Sequence, residues 1–193
     1  MSGKLKNIDI EDYWKVINYN YGQIQFAEVK ATAIISIYSL IFGLGYTLDI
    51  LDEENIYSFS SGFSGVVHIL LLGVSFFFII ASLRRCVMCI LPRFDFTVKK
   101  SPLFFGDVSK YKNFENFFDS LEEVLNDENT YRKHLTQSVY ATANIASTKF
   151  LNVNKGLKHL LRSLIFITLF FISIYAILLV SNFPVFYWLF FTL

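Results

Sequence analysis

The stretch LIFITLFFISIYAILLV, from Leu164 to Val180, decides the class of fold, because its only polar side-chain atoms are hydroxyl oxygens. A helix crosses the hydrocarbon core of a bilayer with about 20 predominantly apolar residues. No charged residue occurs between Ser163 and the C-terminus. We therefore predict a transmembrane helix over residues 163–181.

An aromatic tail, residues 182–193, follows this span. Asn182 and Pro184 are expected to interrupt the helix, because proline cannot continue it. The sequence PVFYWLFF then suits a membrane–water boundary, where tyrosine and tryptophan rings are enriched. We therefore predict an external, interfacial position for the tail.

Two further uncharged stretches lie upstream, one between Lys30 and Asp49 and the other between Glu54 and Arg84. Apolar residues make up 54% of the 193 residues and charged residues 17%, whereas about 25% of residues are charged in a typical soluble protein. Because the apolar residues are segregated into these runs, we predict two more spans, over residues 31–48 and 64–83. For the first, which is short and contains two glycines, a buried helix of a soluble protein is the alternative.

The distribution of charge predicts the orientation. All 17 lysine and arginine residues lie before the first span or between the second and the third, whereas the loop of residues 49–63 holds only acidic charges. Basic residues resist translocation and remain in the cytoplasm. We therefore predict that the N-terminal helix, residues 1–30, and the region 84–162 are cytoplasmic, and that the acidic loop and the C-terminus are external. No cleavable signal peptide is predicted, because the N-terminus lacks the required apolar segment.

The cytoplasmic segments show helical periodicity. After Asn113, apolar residues recur every three or four positions and acidic residues lie outside this stripe, which predicts an amphipathic helix. Thr130 is the expected N-cap of the next helix, whose apolar stripe continues to Leu157 and which runs without a break into the third span. The aromatic residues of the first 30 positions are spaced in the same way. The predicted fold is an all-α integral membrane protein with three transmembrane helices and a small cytosolic helical bundle.

The sequence contains no recognisable catalytic or metal-binding pattern. Cys86 and Cys89 form a C-x-x-C pair, but a structural zinc site needs four ligands, and the three histidines are scattered. We interpret the cysteines as small residues on a helix turn, and we predict no enzyme activity, cofactor or metal. His68 lies in the second span, where an ionisable group is a functional candidate; alternatively, its neutral imidazole reaches water near the outer end. A net charge of +1 gives no argument for a nucleic-acid polymer as partner.

Several short motifs occur in order around the spans. They are QFAEVKA from Gln25 to Ala31, Pro92-Arg93, S-x-L-F-F-G-D-V from Ser101 followed by Tyr111, and finally Gln137, Ile145, Lys149 and Phe150. In this order the chain, from about residue 10 to residue 180, resembles the Pycsar-type membrane effectors of bacterial anti-phage defence. The residues that carry the resemblance most directly are Glu28, Lys30, Pro92, Arg93, Ser101, Phe105, Gly106, Gln137 and Lys149. The chain departs at Glu28-Val29-Lys30, where an acidic-Ser-Lys sequence is commoner in that family.

The resemblance implies an effector of the bacterial inner membrane. A partner cyclase that senses phage would make a cyclic nucleotide, and the effector would respond by forming a homo-oligomer or pore that disrupts the membrane. No separate cyclic-nucleotide-binding domain is recognisable, so the ligand would bind the cytosolic helices. The candidate phosphate ligands are Arg93, Lys99, Lys100 and Lys149. The candidate rings for base stacking are Phe105, Tyr111 and Tyr140. In the alternative interpretation, Lys99 and Lys100 hold anionic membrane lipid.

The number of spans bears on how the protein works. Three spans cannot enclose a hydrophilic pathway within one chain, so the protein is either an inert scaffold or an oligomer. Ser36, Ser39 and Gly43 lie on one face of the first span, and small residues allow close helix association in lipid. A non-enzymatic membrane anchor that recruits a cytosolic partner through the helical bundle is the second hypothesis. A transporter subunit is disfavoured, because the spans lack paired intramembrane charges.

Overall fold

The computed structural model describes residues 9–51, 63–92 and 100–182. Within these residues the chain forms helices and short connections, with no β-strand. The helices are α1 (Ile10–Leu51), α2 (Phe63–Ile90), α3 (Phe105–Val108), α4 (Phe114–Asn126) and α5 (Glu128–Asn182). The predicted all-α fold is confirmed.

Three of these helices, α1, α2 and α5, are long and apolar enough to cross a membrane. With 55 residues, α5 extends about 80 Å at 1.5 Å per residue, which is more than twice the roughly 30 Å of a hydrocarbon core. A large part of this helix therefore lies outside any bilayer that it crosses. The exact span limits remain predictions.

The predicted helix after Thr130 and the predicted third span belong to one helix, α5, as expected. Asn182 is the last described residue of α5, and the interruption predicted at Asn182 and Pro184 stays a prediction. Pro184 and the aromatic tail from residue 183 lie outside the described residues, as do residues 52–62 of the acidic loop. The predicted positions of these two segments therefore stay predictions.

The start of α5 differs from the prediction. Asp127, directly before the helix, accepts hydrogen bonds from the Thr130 amide at 3.0 Å and from the Thr130 hydroxyl, and its Oδ1 accepts one from the Asn129 amide at 3.4 Å. Asp127 is therefore the N-cap, and the prediction of Thr130 was wrong. A carboxylate directly before the first turn accepts hydrogen bonds from two backbone amides of that turn, whereas Thr130 is already the third residue of the helix and does not occupy the capping position. Asn113 is the N-cap of α4, since its Oδ1 accepts a hydrogen bond from the Asn116 amide at 3.0 Å.

Contacts divide the chain into two compact units, and α1, α2 and α5 contribute residues to both. The first unit comprises Met1–Thr32 and Val87–Val153, and the second comprises Ala33–Cys86 and Asn154–Leu193. In the first unit, α1 and α5 meet through buried positions at helical spacing, and the Asn20 amide donates to Thr142 Oγ1 at 3.0 Å.

The second unit packs α1, α2 and α5 through aromatic rings and hydroxyl groups. The hydroxyls of Tyr38 and Ser163 lie 3.0 Å apart, and the rings of Phe78 and Phe166 stack at 5.7 Å. His68 is buried, and its ring meets the edge of Phe170 at 5.6 Å. Many large apolar side chains on the outside of this unit are exposed, as expected for helices that face lipid.

Glycine allows a close contact between α2 and α5 in the second unit. A Cβ atom on Gly156 would lie 2.9 Å from the sulfur of Cys86, and the Gly156 carbonyl accepts a hydrogen bond from the Ser82 hydroxyl at 2.8 Å. Cys86 is fully buried there, and Cys89 is fully buried in the first unit. Among the described residues, no group of three or more His, Cys, Asp or Glu side chains is placed to hold a metal ion.

The predicted apolar stripe of α5 is wrong at its end. Leu157 is exposed, whereas Gly156 and Leu160 take the buried positions after Val153. The helical repeat of 3.6 residues makes a fixed spacing of three and four drift off the buried face.

Candidate functional site

The segment after α2 is held by a network centred on the buried side chains of Ser101 and Asp107. The Ser101 amide donates to Asp107 Oδ2 at 3.0 Å, and the ammonium group of Lys110 donates to Asp107 Oδ1 at 2.7 Å. Ser101 Oγ accepts from the Leu103 amide at 3.3 Å and is hydrogen bonded to His134 Nδ1 at 2.8 Å. The first and last polar residues of the S-x-L-F-F-G-D-V motif therefore close one turn and attach it to α5.

The two adjacent phenylalanines of this motif have different environments. Phe104 is buried in a cluster with Ala141 and Ile145 of α5, against which Ile24 of α1 packs. Phe105 is 77% exposed. Phe104 thus anchors the turn, and most of the surface of Phe105 is exposed.

Lys149 joins three helices within the first unit. It is only 2% exposed, and its ammonium group donates to Glu28 Oε1 at 2.7 Å and to the carbonyl oxygens of Cys89, Ile90 and Leu91. These carbonyls belong to the end of α2, where a cation is favoured by the helix dipole. Four acceptors surround a group with three N–H donors, so Lys149 acts as a clasp of α1, α2 and α5.

A small cavity of about 300 Å³ adjoins this clasp. Glu28, Pro92, Phe105, Gly106 and Lys149 are among the residues that line it. Its described lining is largely apolar, and the ionic groups among the described lining residues, Glu28 and Lys149, are paired with each other. These described residues therefore offer a bound phosphate little uncommitted positive charge.

A second and larger cavity, of about 790 Å³, lies in the first unit and is lined by side chains from the segment before α3 to α5. We call it the polar groove, and it is lined by Lys100, Tyr111, Ser120, Glu123, Val124, Thr130, Lys133, His134, Thr136, Gln137 and Tyr140. Its charged and titratable lining residues are two lysines, one histidine and one glutamate. The balance of charge favours an anion.

The aromatic rings of the polar groove differ in how open they are. The Lys100 ammonium lies 3.3 Å from the centroid of the Tyr111 ring, and Phe117 meets that ring edge-on at 5.3 Å. The Tyr111 hydroxyl is 3.1 Å from Ser120 Oγ. Tyr140 is 57% exposed, so it is the ring with the more open face for stacking.

The structure separates the predicted ligand residues. Lys100, Tyr111 and Tyr140 line the polar groove together with the motif residue Gln137, whereas Phe105 and Lys149 line the small cavity. Arg93 and Lys99 lie outside the described residues. The seven candidates therefore do not form a single described site.

The motif residue Lys30 has another role. Its ammonium group lies 4.2 Å from the centroid of Phe26 and 5.7 Å from that of Phe150. Such contacts hold a cation on an aromatic face. Lys30 therefore supports the packing of α1 on α5 and does not line either cavity among the residues described.

Sequence reasoning missed Lys133 and His134 as lining residues of the polar groove. Lys133, Gln137 and Tyr140 follow one another at four and three positions along α5, which places them on one helix face. This spacing from two residues already singled out was the signal that could have identified Lys133.

One comparison with known proteins is informative. A family model described as the Pycsar effector protein domain matches residues 12–179. The chain matches no curated protein and no solved structure. The match includes α1 from its third residue, all of α2 to α4, and α5 almost to its end.

Proposed function

Because the chain belongs to the Pycsar effector family, the membrane effectors of cyclic-nucleotide-signalled anti-phage defence, we propose that a cyclic nucleotide binds its polar groove and that the protein then assembles and disrupts the inner membrane. The ligand comes from a partner cyclase. The N-terminus and the polar groove are on the cytoplasmic side in this proposal, and the C-terminus is external. The protein acts without catalysing a reaction of its own.

The observation that carries this proposal is the chemistry of the polar groove. A volume of about 790 Å³ lies within the roughly 300–1,000 Å³ of small-molecule sites. Lys100 and Lys133 can form charge-assisted hydrogen bonds to the single negative charge of a cyclic phosphodiester. The open face of Tyr140 can stack a base, and the Gln137 amide can both donate to and accept from a base edge.

Lys149 is outside the ligand set of this proposal, although the sequence suggested it as a phosphate ligand. Its ammonium donors are used by Glu28 and by the end of α2. A phosphate bound there would compete with this part-buried ion pair and place a second negative charge beside Glu28, at a cost in free energy. Lys133, which is exposed, pays no such cost.

Assembly is proposed for a geometric reason. Three helices of about 10 Å diameter cannot surround an aqueous path, so membrane damage requires several copies. Ser36, Ser39 and Gly43 of α1 are all exposed in the single chain, which leaves a face of small residues available for close helix packing in lipid.

The test uses the full chain reconstituted in dye-filled vesicles and challenged with cyclic mononucleotides and cyclic dinucleotides. We expect dye release with one class of ligand, and loss of both binding and release in Lys133→Gln/Tyr140→Ala. Lys15→Gln is the control, because Lys15 is an exposed lysine of the first unit that pairs with Glu11 and Asp12 away from the polar groove. Ligand binding that is equal in the double variant and the wild type would refute the site. Binding without any release would refute the proposed action.

A second function is favoured by one face of α4. Phe114, Phe118 and Leu125 are each at least half exposed, although they belong to the apolar stripe of an amphipathic helix. Such a face suits a membrane anchor that recruits a cytosolic partner. This second function predicts that the protein forms a stable complex with a cytosolic partner and that Phe114→Ser/Phe118→Ser loses this complex. It also predicts that vesicles containing the protein release no dye with any cyclic nucleotide.

A further inference from the structure

Basic side chains are concentrated in the second unit where α2 and α5 touch at Gly156. A Cβ atom on Gly156 would lie 3.7 Å from the Cβ atom of Arg85, so the stem of Arg85 packs against this turn of α5. Arg84 is the preceding residue of α2 and is exposed. The contact between the helices thus brings the arginines of α2 next to the α5 turn that carries Lys155.

One face of α5 continues the basic group. Lys155 is followed after three, four and seven positions by Lys158, His159 and Arg162. This spacing places the four residues on neighbouring turns of one side of the helix. The Arg162 guanidinium lies 5.7 Å from the ring centroid of Phe78, and the His159 ring stacks on the same ring at 5.9 Å. Phe78 therefore holds both groups beside each other.

The described side chains of this unit offer no partner of opposite charge to the basic group. Among the side chains that the structure describes there, none is Asp or Glu, and no ion pair among the described residues includes Lys155, Lys158 or Arg162. Burial, and then the charges of Arg162 and Arg85, lower the pKa of His159, which precedes the predicted third span. Like charges on neighbouring turns destabilise the helix that carries them, so an anion bound between these side chains would relieve their repulsion.

We propose that this basic group is a binding site for the phosphate of an anionic phospholipid, with Lys158 and Arg162 as its main ligands. Guanidinium and ammonium groups bind phosphate oxygens through charge-assisted hydrogen bonds. Exposed apolar side chains lie on the same helix at Leu161, Ile165 and Leu169, where they can meet acyl chains. A phospholipid can contact both the basic group and these side chains, whereas a soluble anion contacts only the basic group, which favours a lipid as the source of the phosphate.

The site lies beside the predicted ends of the second and third spans, at residues 83 and 163. Headgroup phosphates of the cytoplasmic leaflet are expected at that level, and polybasic segments next to spans bind anionic lipid there. The inference does not depend on the polar groove, which belongs to the first unit.

The test measures binding of dioleoyl phosphatidylglycerol to the full chain in neutral detergent, with dioleoyl phosphatidylcholine, inorganic phosphate and a cyclic mononucleotide as parallel probes. We expect phosphatidylglycerol to bind at least tenfold more tightly than phosphatidylcholine, and Lys158→Gln/Arg162→Gln to lose this preference. The control is Lys15→Gln/Lys112→Gln, which removes the same charge from two exposed lysines of the first unit and keeps the preference.

Three outcomes would overturn the inference. They are equal binding of the two lipids, an unchanged preference in Lys158→Gln/Arg162→Gln, and inorganic phosphate or the cyclic nucleotide competing as well as the anionic lipid. The variant Lys133→Gln/Tyr140→Ala separates this result from the proposed function, because it is expected to keep the lipid preference while it loses the response to a cyclic nucleotide.

Discussion

Replacing Lys149 by methionine tests whether this residue holds the fold or binds the signal. The substitution keeps an unbranched side chain of similar length and removes the ammonium group. That group donates to Glu28 Oε1 at 2.7 Å and to the last carbonyl oxygens of α2. We expect Lys149→Met to loosen the joint of α1, α2 and α5 within the first unit.

The size of the effect follows from which acceptors are left behind. Breaking a buried ion pair costs about 3–5 kcal/mol. The Glu28 side chain is 38% exposed, so it regains water after the substitution. We therefore expect a loss near the lower limit, about 3 kcal/mol, which corresponds to about 6–12 °C in the melting temperature of a chain of this size.

The assay is thermal unfolding in detergent, followed by circular dichroism, together with ligand binding measured well below the transition. Lys30→Met is the matched control, because among the described residues the exposed Lys30 makes only ring contacts, which contribute about 0.5–1 kcal/mol at exposed sites. The reasoning is refuted if Lys149→Met melts at the wild-type temperature. A variant of normal stability that has lost only its cyclic-nucleotide binding would make Lys149 a ligand.

Three other substitutions test the packing and the assembly. Gly156→Ala should destabilise the protein by about 1 kcal/mol in thermal unfolding, because overpacking against Cys86 costs about 1–3 kcal/mol and the higher helix propensity of alanine returns only about 1 kcal/mol. Adding Cys86→Ala should restore the stability. If it does not, the clash at 2.9 Å is excluded as the cause. Gly43→Leu should weaken ligand-dependent assembly in size-exclusion chromatography, whereas Gly45→Leu should not. Neither change causes a clash within the single chain, because a Cβ atom at either glycine meets nothing within 4 Å. Equal effects of the two variants would contradict the proposed assembly face of Ser36, Ser39 and Gly43. Hydrogen bonds from the Thr130 hydroxyl and amide lower the pKa of Asp127, so its contribution to folding stability is complete above its unfolded pKa and is lost as pH falls through the folded pKa. The difference in stability between wild type and Asp127→Ala should therefore be constant above about pH 5 and shrink below about pH 4. A difference that grows on acidification would contradict the role of Asp127 as N-cap.

The sequence predicted the helices well because the signals for them are local. The uncharged runs, the periodicity after Asn113 and the lack of a break before Ser163 each depend on neighbours along the chain, and each agrees with α2, α4 or α5. The error at Thr130 is local too, since Asp and Thr are both good caps and only the bonds of Asp127 distinguish them. The error at Leu157 accumulates from the helical repeat over many turns.

The site was harder to predict, because the role of a polar residue depends on partners far away in the chain. Lys149 and Glu28 are 121 positions apart, and Ser101 and His134 are 33 apart. No spacing rule connects such positions. The sequence alone does not distinguish a lysine that donates to buried carbonyl oxygens from a lysine that binds a phosphate.

The motif residues and the lining of the polar groove have different physical constraints. Ser101, Asp107 and Lys149 are fully or almost fully buried and satisfy several hydrogen bonds each, so a change at any of them leaves buried polar groups without partners, at about 1–3 kcal/mol each. Lys133 and Tyr140 are exposed, and a change there alters only what the groove can bind. It follows that the buried motif residues Ser101, Asp107 and Lys149 belong to the scaffold that positions α5. In the proposed function the choice of ligand rests on the polar groove, so Ser101→Ala should lower stability while Lys133→Gln lowers affinity.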